Sequence, residues 1–218
     1  MATKITHRFY GRRTVFFAAL LIVFILAGFY FFYPGQKTIT YYEECDTIDF
    51  CQGDLVLRRG KSFVSQLVLL SDKASEYSHI GIVSIDDDQP YVIHAVPGEA
   101  EKDMPEYIKM ETIEAFLDIK KSADFAVYRP SEKYREAAAK AAQKAKTYYQ
   151  QKIVFDSSFD LEDESKLYCT ELIWRVYKAA GIDLIDRFDH LQAPFYKGQF
   201  IYPSNIFSNP IFNKIYPN

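Results

Sequence analysis

The hydropathy pattern is dominated by one block. Thr14 to Tyr33 (TVFFAALLIVFILAGFYFFY) is free of charge. At about 1.5 Å rise per residue, a helix of that length crosses a hydrocarbon core of roughly 30 Å. Lys4, Arg8, Arg12 and Arg13 precede it and favour a cytoplasmic N-terminus. Tyr30 and Tyr33 suit the far interface, and Pro34-Gly35 ends the helix. The rival reading is a cleaved signal peptide, whose apolar core is shorter, about 7–15 residues, and ends in a small-x-small site. Leu26-Ala27-Gly28 is its only candidate, and Phe29 stands where a lipoprotein would carry its lipidated cysteine. The length favours an uncleaved anchor. Either way residues 36–218 are expected outside the cytoplasm, in the periplasm or extracellular space of a bacterium.

After the anchor the periodicity alternates between two and 3.6. Residues 34–50 are polar and aromatic and read as a tether. Gly53 to Arg58 reads as a turn and a short strand. Ser62 to Ser71 puts Phe63, Val64, Leu67, Val68 and Leu70 on one helical stripe, with Ser62 as N-cap. Ser78 to Ile85 and Tyr91 to Val96 are β-rich runs joined by Asp86-Asp87-Asp88-Gln89-Pro90, a hairpin. The three aspartates lack the spaced ligands and glycine of a calcium loop and read as a solvated turn. A short helix follows over 111–118, with Ile113, Phe116 and Leu117 inward. Next come a strand over 125–128, a long alanine-rich helix from the Ser131 cap to about Gln151, and a further helix from about Ser165 to Gly181. The tail from Phe188, rich in proline and aromatics, is expected to wrap the domain. Strands cluster centrally with helices before and after, so the class is α+β. The divisions are 1–13 cytoplasmic, 14–33 anchor, 34–50 tether and 51–218 a single domain.

Composition adds two exclusions. With 49% hydrophobic and 25% charged residues in 218, the chain can fill a core and is not a disordered tail. Setting aside the four basic residues before the anchor, 22 basic and 29 acidic side chains leave the remainder at −7. That balance offers no electrostatic footprint for nucleic acid.

Three cysteines occur, Cys45, Cys51 and Cys169. In an oxidising compartment Cys45 and Cys51 are close enough to form a small disulfide loop. Cys169 is then left over, within the first turn of a predicted helix. Unpaired backbone N–H groups there lower a thiol pKa and can hold an oxyanion, so Cys169 is expected to react faster than a model thiol. A thiol nucleophile needs a base. His7 precedes the anchor and His190 lies in a polar loop. His79 and His94 stand on the two arms of the hairpin, where cross-strand neighbours meet. Two satisfied core histidines and a packed cysteine are the bland alternative. Zinc is a competing use of the same three residues, with Glu171 or Asp54 assisting, but no H-x-x-x-H or C-x-x-C pair exists. No metal or cofactor is expected.

Gly53-Asp54-Leu55, Tyr77-Ser78-His79-Ile80-Gly81-Ile82, Val92-Ile93-His94-Ala95 and Tyr168-Cys169-Thr170-Glu171-Leu172 resemble the circularly permuted papain-like hydrolases of the NlpC superfamily, nearest the YiiX-like amidases. The His–His–Cys set also resembles the lecithin:retinol acyltransferase-like branch. The resemblance spans roughly residues 50–185. It implies a permuted papain-like domain with an antiparallel sheet and the nucleophile on a helix N-terminus. It further implies Cys169 as nucleophile, His79 as base and His94 as the orienting residue, where many relatives carry an acid. Tyr77, two before the base, is a candidate for the oxyanion site or cleft. The implied activity is cleavage of an amide through an acyl-thioester, on a peptide, peptidoglycan or lipid-linked substrate of the cell envelope. A thiol acyltransferase or lipase on lipid esters and a non-catalytic envelope-binding domain are the alternatives.

Overall fold

The computed structural model describes residues 42–100, 102–193 and 196–217. The anchor expected over 14–33 and the first part of the tether lie outside them. Among the described residues no helix is long and apolar enough to cross a membrane.

The first half of the domain runs β1 (Leu55–Gly60), α1 (Phe63–Ser71), β2 (His79–Asp86), β3 (Gln89–His94), β4 (Lys109–Thr112), α2 (Ile113–Phe116) and β5 (Ser122–Pro130). The second runs α3 (Arg135–Gln150), β6 (Val154–Phe155), β7 (Lys166–Leu167), α4 (Cys169–Ala179), β8 (Asp189–Ala193), β9 (Tyr196–Phe200), α5 (Pro203–Phe207) and β10 (Phe212–Tyr216). Six strands form one antiparallel sheet in the order β10-β5-β1-β2-β3-β4. The fold is α+β, as the pattern predicts.

The strand period of two divides the core between the sheet's faces. Leu55, Leu57, Ile80, Ile82 and Ile93 pack under α3 and α4. Val56, Val83, Val92 and Val127 face the other way, where Cys45, Ile113, Phe116, Leu117 and Phe125 close a smaller cluster. Each large apolar side chain so buried contributes about 1.5–3 kcal/mol. α3 lies close on the sheet because its inner face is alanine: Ala138, Ala141, Ala142 and Ala145 are buried. Gly53 is required there. Its φ is +85°, and a Cβ would stand 2.6 Å from the Ala138 Cβ. Asp54, fully buried, accepts from the Cys51 amide at 2.8 Å and from Arg129 Nη2 at 2.7 Å. The Gly53-Asp54-Leu55 motif is therefore structural.

Several expectations are corrected. Residues 42–50, assigned to the tether, pack on the domain: Tyr42 lies 5.3 Å from the Phe125 ring and Cys45 is buried. The Cys45–Cys51 disulfide is absent. Cys45 points into the apolar cluster, while the Cys51 thiol turns to the Asp49 carbonyl in the turn before β1. Ser131 does not cap the long helix; its hydroxyl donates to the Ile211 carbonyl of the returning tail. That tail supplies β10, an edge strand of the main sheet, because Phe212 and Ile211 are buried against it. The helix expected from Ser165 begins only at Cys169, since Lys166–Leu167 pair in parallel with Val154–Phe155 first.

Candidate active site

β2 and β3 form the predicted hairpin, with Ile82 opposite Ile93. The alternation places His79 and His94 on the α2 side of the sheet. His79 Nε2 stands 2.9 Å from His94 Nδ1, with the rings edge to face. Phe116 walls both, its ring 5.6 Å from His79 and 4.9 Å from His94. Gly81 permits this closeness, for a Cβ there would meet Val92 Cγ1 at 2.3 Å and His94 Cβ at 3.2 Å.

Glu111 stands behind His94. Its Oε1 lies 3.0 Å from His94 Nε2, and its Oε2 lies 2.9 Å from Lys109 Nζ. Glu99 binds Lys109, Lys121 and Arg58. Arg58, nearly fully buried, also donates to the Phe116 carbonyl at 2.8 Å and lies 4.7 Å over that ring. Burial works to raise the pKa of both carboxyls. It is outweighed at Glu111 by His94 and Lys109, which hold that carboxyl well below the carboxylate range. At Glu99, Arg58 and Lys121 outweigh it and hold the pKa at about 2. Burial drives His79 well below the ordinary histidine value, and the Arg58 charge adds to this. His94 is lowered too, by burial against the opposing pull of Glu111.

These states fix the protons. An ionised Glu111 only accepts, so His94 donates from Nε2. His94 Nδ1 then carries the lone pair and accepts from His79 Nε2–H. The network thereby assigns the lone pair of His79 to Nδ1.

Cys169 is the first residue of α4, whose start is clamped by Thr170 Oγ1 donating to the Ile201 carbonyl at 2.6 Å. Backbone N–H groups of Thr170, Ile80 and Cys169 itself act on the sulfur to lower its pKa. The Ile80 amide is available for a topological reason. Val83 N–H bonds to the Asp54 carbonyl beside β1, so the amide of Ile80 turns toward β3, but the β2–β3 ladder stops at Ile82–Ile93. The sulfur thus sits beside the residue that follows His79, approaching from the helix side while the imidazoles occupy the other. No Cys169–His79 hydrogen bond forms among the described residues. Burial raises the Cys169 pKa to about 11, against the opposing amides and Arg58. The expected lowering by the helix start is reversed because desolvation outweighs the N–H groups.

Tyr77 packs in the helix-side core, its hydroxyl pushed up to about 12 by burial. His190 is exposed. Among the described residues no group of three or more His, Cys, Asp or Glu could hold a metal ion.

A family model described as "Permuted papain-like amidase enzyme, YaeF/YiiX, C92 family" matches residues 49–215. The chain belongs to this family. A curated relative, the uncharacterized protein YiiX of Escherichia coli (strain K12), is 28% identical over 129 residues. That match covers 59% of this chain and only 57% of the relative. The crystal structure of the metalloprotein yiiX from Escherichia coli O157:H7 superimposes with a TM-score of 0.60 at 22% identity, covering 75% of this chain and 95% of that one. That likeness establishes the shared fold.

Arg58, Glu99, Lys109, Glu111 and Lys121 were not found from the sequence. Lys109-Met110-Glu111 alternates as a strand does, but its place beside His94 depends on the pairing of β4 with β3.

Proposed function

We propose that this chain is a thiol-dependent hydrolase that cleaves an amide of the cell envelope, held at the membrane by residues 14–33. One observation carries the reading: in a member of an amidase family, a hydrogen-bonded His79–His94–Glu111 relay begins one residue before Ile80, whose amide reaches the Cys169 sulfur. Cys169 is the nucleophile, His79 Nδ1 the base and His94 the orienting group. Glu111 positions His94.

As the sulfur bonds to the substrate carbonyl carbon, the Cys169 proton passes to His79 Nδ1, and the carbonyl electron pair becomes an oxyanion facing the amides. Collapse breaks the C–N bond, and His79 returns the proton to the leaving amine. Water then attacks the thioester with His79 again taking a proton, and the acid is released with the thiol restored. The thiol and imidazole are not hydrogen-bonded in the free protein, and such contacts commonly tighten on substrate binding.

The test is release of free amines from purified peptidoglycan by the full chain, with Cys169→Ala and His79→Ala as controls. Amine release lost in both variants is expected. Equal activity in Cys169→Ala would sink the reading. Release of fatty acid from phospholipid in place of amine would assign the site to lipid esters.

A further inference from the structure

α1 rests on the domain through half-buried Ser65, Val68 and Leu69 and leaves its apolar outer face uncovered. Phe63, Val64, Leu67 and Leu70 share one stripe and are 77%, 41%, 47% and 64% exposed, and no residue of the helix is buried. Its ends are nevertheless fixed. Ser62 caps it through the Ser65 amide, and Asp72 just beyond it accepts from Ser204 N–H and Oγ at 3.0 and 2.7 Å. A rigid apolar stripe of this kind on a soluble surface marks a docking site. Arg59, Lys61 and Lys73, all exposed, flank it.

The chain itself indicates the occupant. Eight residues separate Tyr33 from Tyr42, a reach of under about 30 Å even fully extended. Tyr42 enters the domain beside Ser122, to whose carbonyl its hydroxyl donates. Ser122 lies opposite Gly60, two residues before the α1 cap. The tether therefore arrives at the end of the sheet that carries α1. His79 starts β2 at that same end, opposite Arg58, and Ser78 Oγ accepts the Gly60 amide at 3.0 Å.

We infer that α1 docks on the lipid bilayer, its apolar stripe among the acyl chains and its basic flanks at the headgroups. Docking turns the Cys169–His79 end of the sheet toward the membrane surface, so the substrate amide is one presented at that surface. This inference rests on the anchor reading of 14–33.

The experiment uses the full chain in vesicles of equimolar phosphatidylcholine and phosphatidylglycerol, with and without lipids brominated on their acyl chains. Leu67→Trp is compared with Arg135→Trp, a control at the start of α3 where β5 has run to the opposite end of the sheet; native Trp174 is buried and gives the background. Bromolipid is expected to quench the added Leu67→Trp emission at least about twofold more than that of the control, with a blue shift. Equal quenching of the two overturns the inference, as does a Leu67→Trp shift that depends on protein density and not on bromolipid, which would make a second copy the occupant. Flotation separates the two readings. A chain that floats with vesicles but leaves Leu67→Trp unquenched overturns the docking alone, and a chain that does not float overturns the anchor as well.

Discussion

Alkylation of Cys169 by iodoacetamide, followed at its peptide by mass spectrometry across pH, tests the protonation state of the site. An ordinary thiol near 8.5 is a few per cent thiolate at pH 7, whereas one at about 11 is roughly one part in ten thousand, about 300-fold less. A more basic thiolate is intrinsically more nucleophilic, with a Brønsted slope of about 0.4–0.5, which returns about tenfold. Cys169 should therefore react about 30-fold more slowly than a small thiol at pH 7. Its rate should climb about tenfold per pH unit until near 11. The cause is burial, which outweighs the opposing amides and does not involve the imidazole, so His79→Ala should abolish turnover and leave this profile in place. A rate that is flat from about pH 6 to 9 and faster than the small thiol would reveal a preformed thiolate–imidazolium pair and refute the reasoning.

Three further outcomes follow from named contacts. Glu111→Gln removes the charge that fixes the imidazole tautomers. It should lower kcat about 10–100-fold at near-constant KM and cost about 1–3 kcal/mol in denaturant unfolding; an unchanged kcat would remove Glu111 from the relay. Glu171 is fully buried, its Oε1 accepts from Arg175 Nε at 2.8 Å and its Oε2 is unpartnered among the described residues; burial raises its pKa to about 7 against the pull of Arg175. The native state then holds this proton more tightly than the unfolded chain, so the stability it contributes is full below about pH 4.3 and is lost as pH rises through about 7. Between pH 4 and 8 the stability of Glu171→Gln relative to the native chain should rise by on the order of 3 kcal/mol, read from parallel melts. Gly53→Ala forces a Cβ within 2.6 Å of Ala138 Cβ at positive φ and should cost about 2–4 kcal/mol, lowering Tm by roughly 5–15 °C; an unshifted melt would contradict that close approach.

Elements with a strong local period were legible in the sequence. The β2–β3 hairpin, the α1 cap at Ser62 and the alanine face of α3 each follow from residues close in the chain. What escaped depends on distant partners. β10 pairs with β5 across some eighty residues, and nothing in Phe212–Tyr216 itself reports its neighbour. The α1 stripe was visible, but its exposure was not, because periodicity identifies an apolar face without saying what covers it. The same limit governs the site. Cys169, His79 and His94 carry recognisable local motifs, while Glu111 and Arg58 acquire meaning only through sheet register and the ring of Phe116. The reversed thiol pKa had no signal at all in the sequence, since a helix start lowers it and only the degree of burial decides the outcome.

The charges around the imidazole pair explain why its rings rest uncharged. Arg58, Lys109 and Lys121 against Glu99 and Glu111 leave one net positive charge beside two buried rings. Protonating His79 in the free protein would add a second positive charge where water cannot screen it, and its pKa falls accordingly. A thiolate formed alone would be equally costly at a sulfur whose pKa stands near 11. Neither charge is stable until the other group and the substrate share it. In the proposed reaction the developing oxyanion would face the amides of Ile80 and Thr170 while the proton reached His79, and the positive network that opposes imidazolium would favour the negative charge. On that proposal stabilisation would be confined to the transition state, where it accelerates reaction, and withheld from a resting thiolate open to oxidation and stray electrophiles.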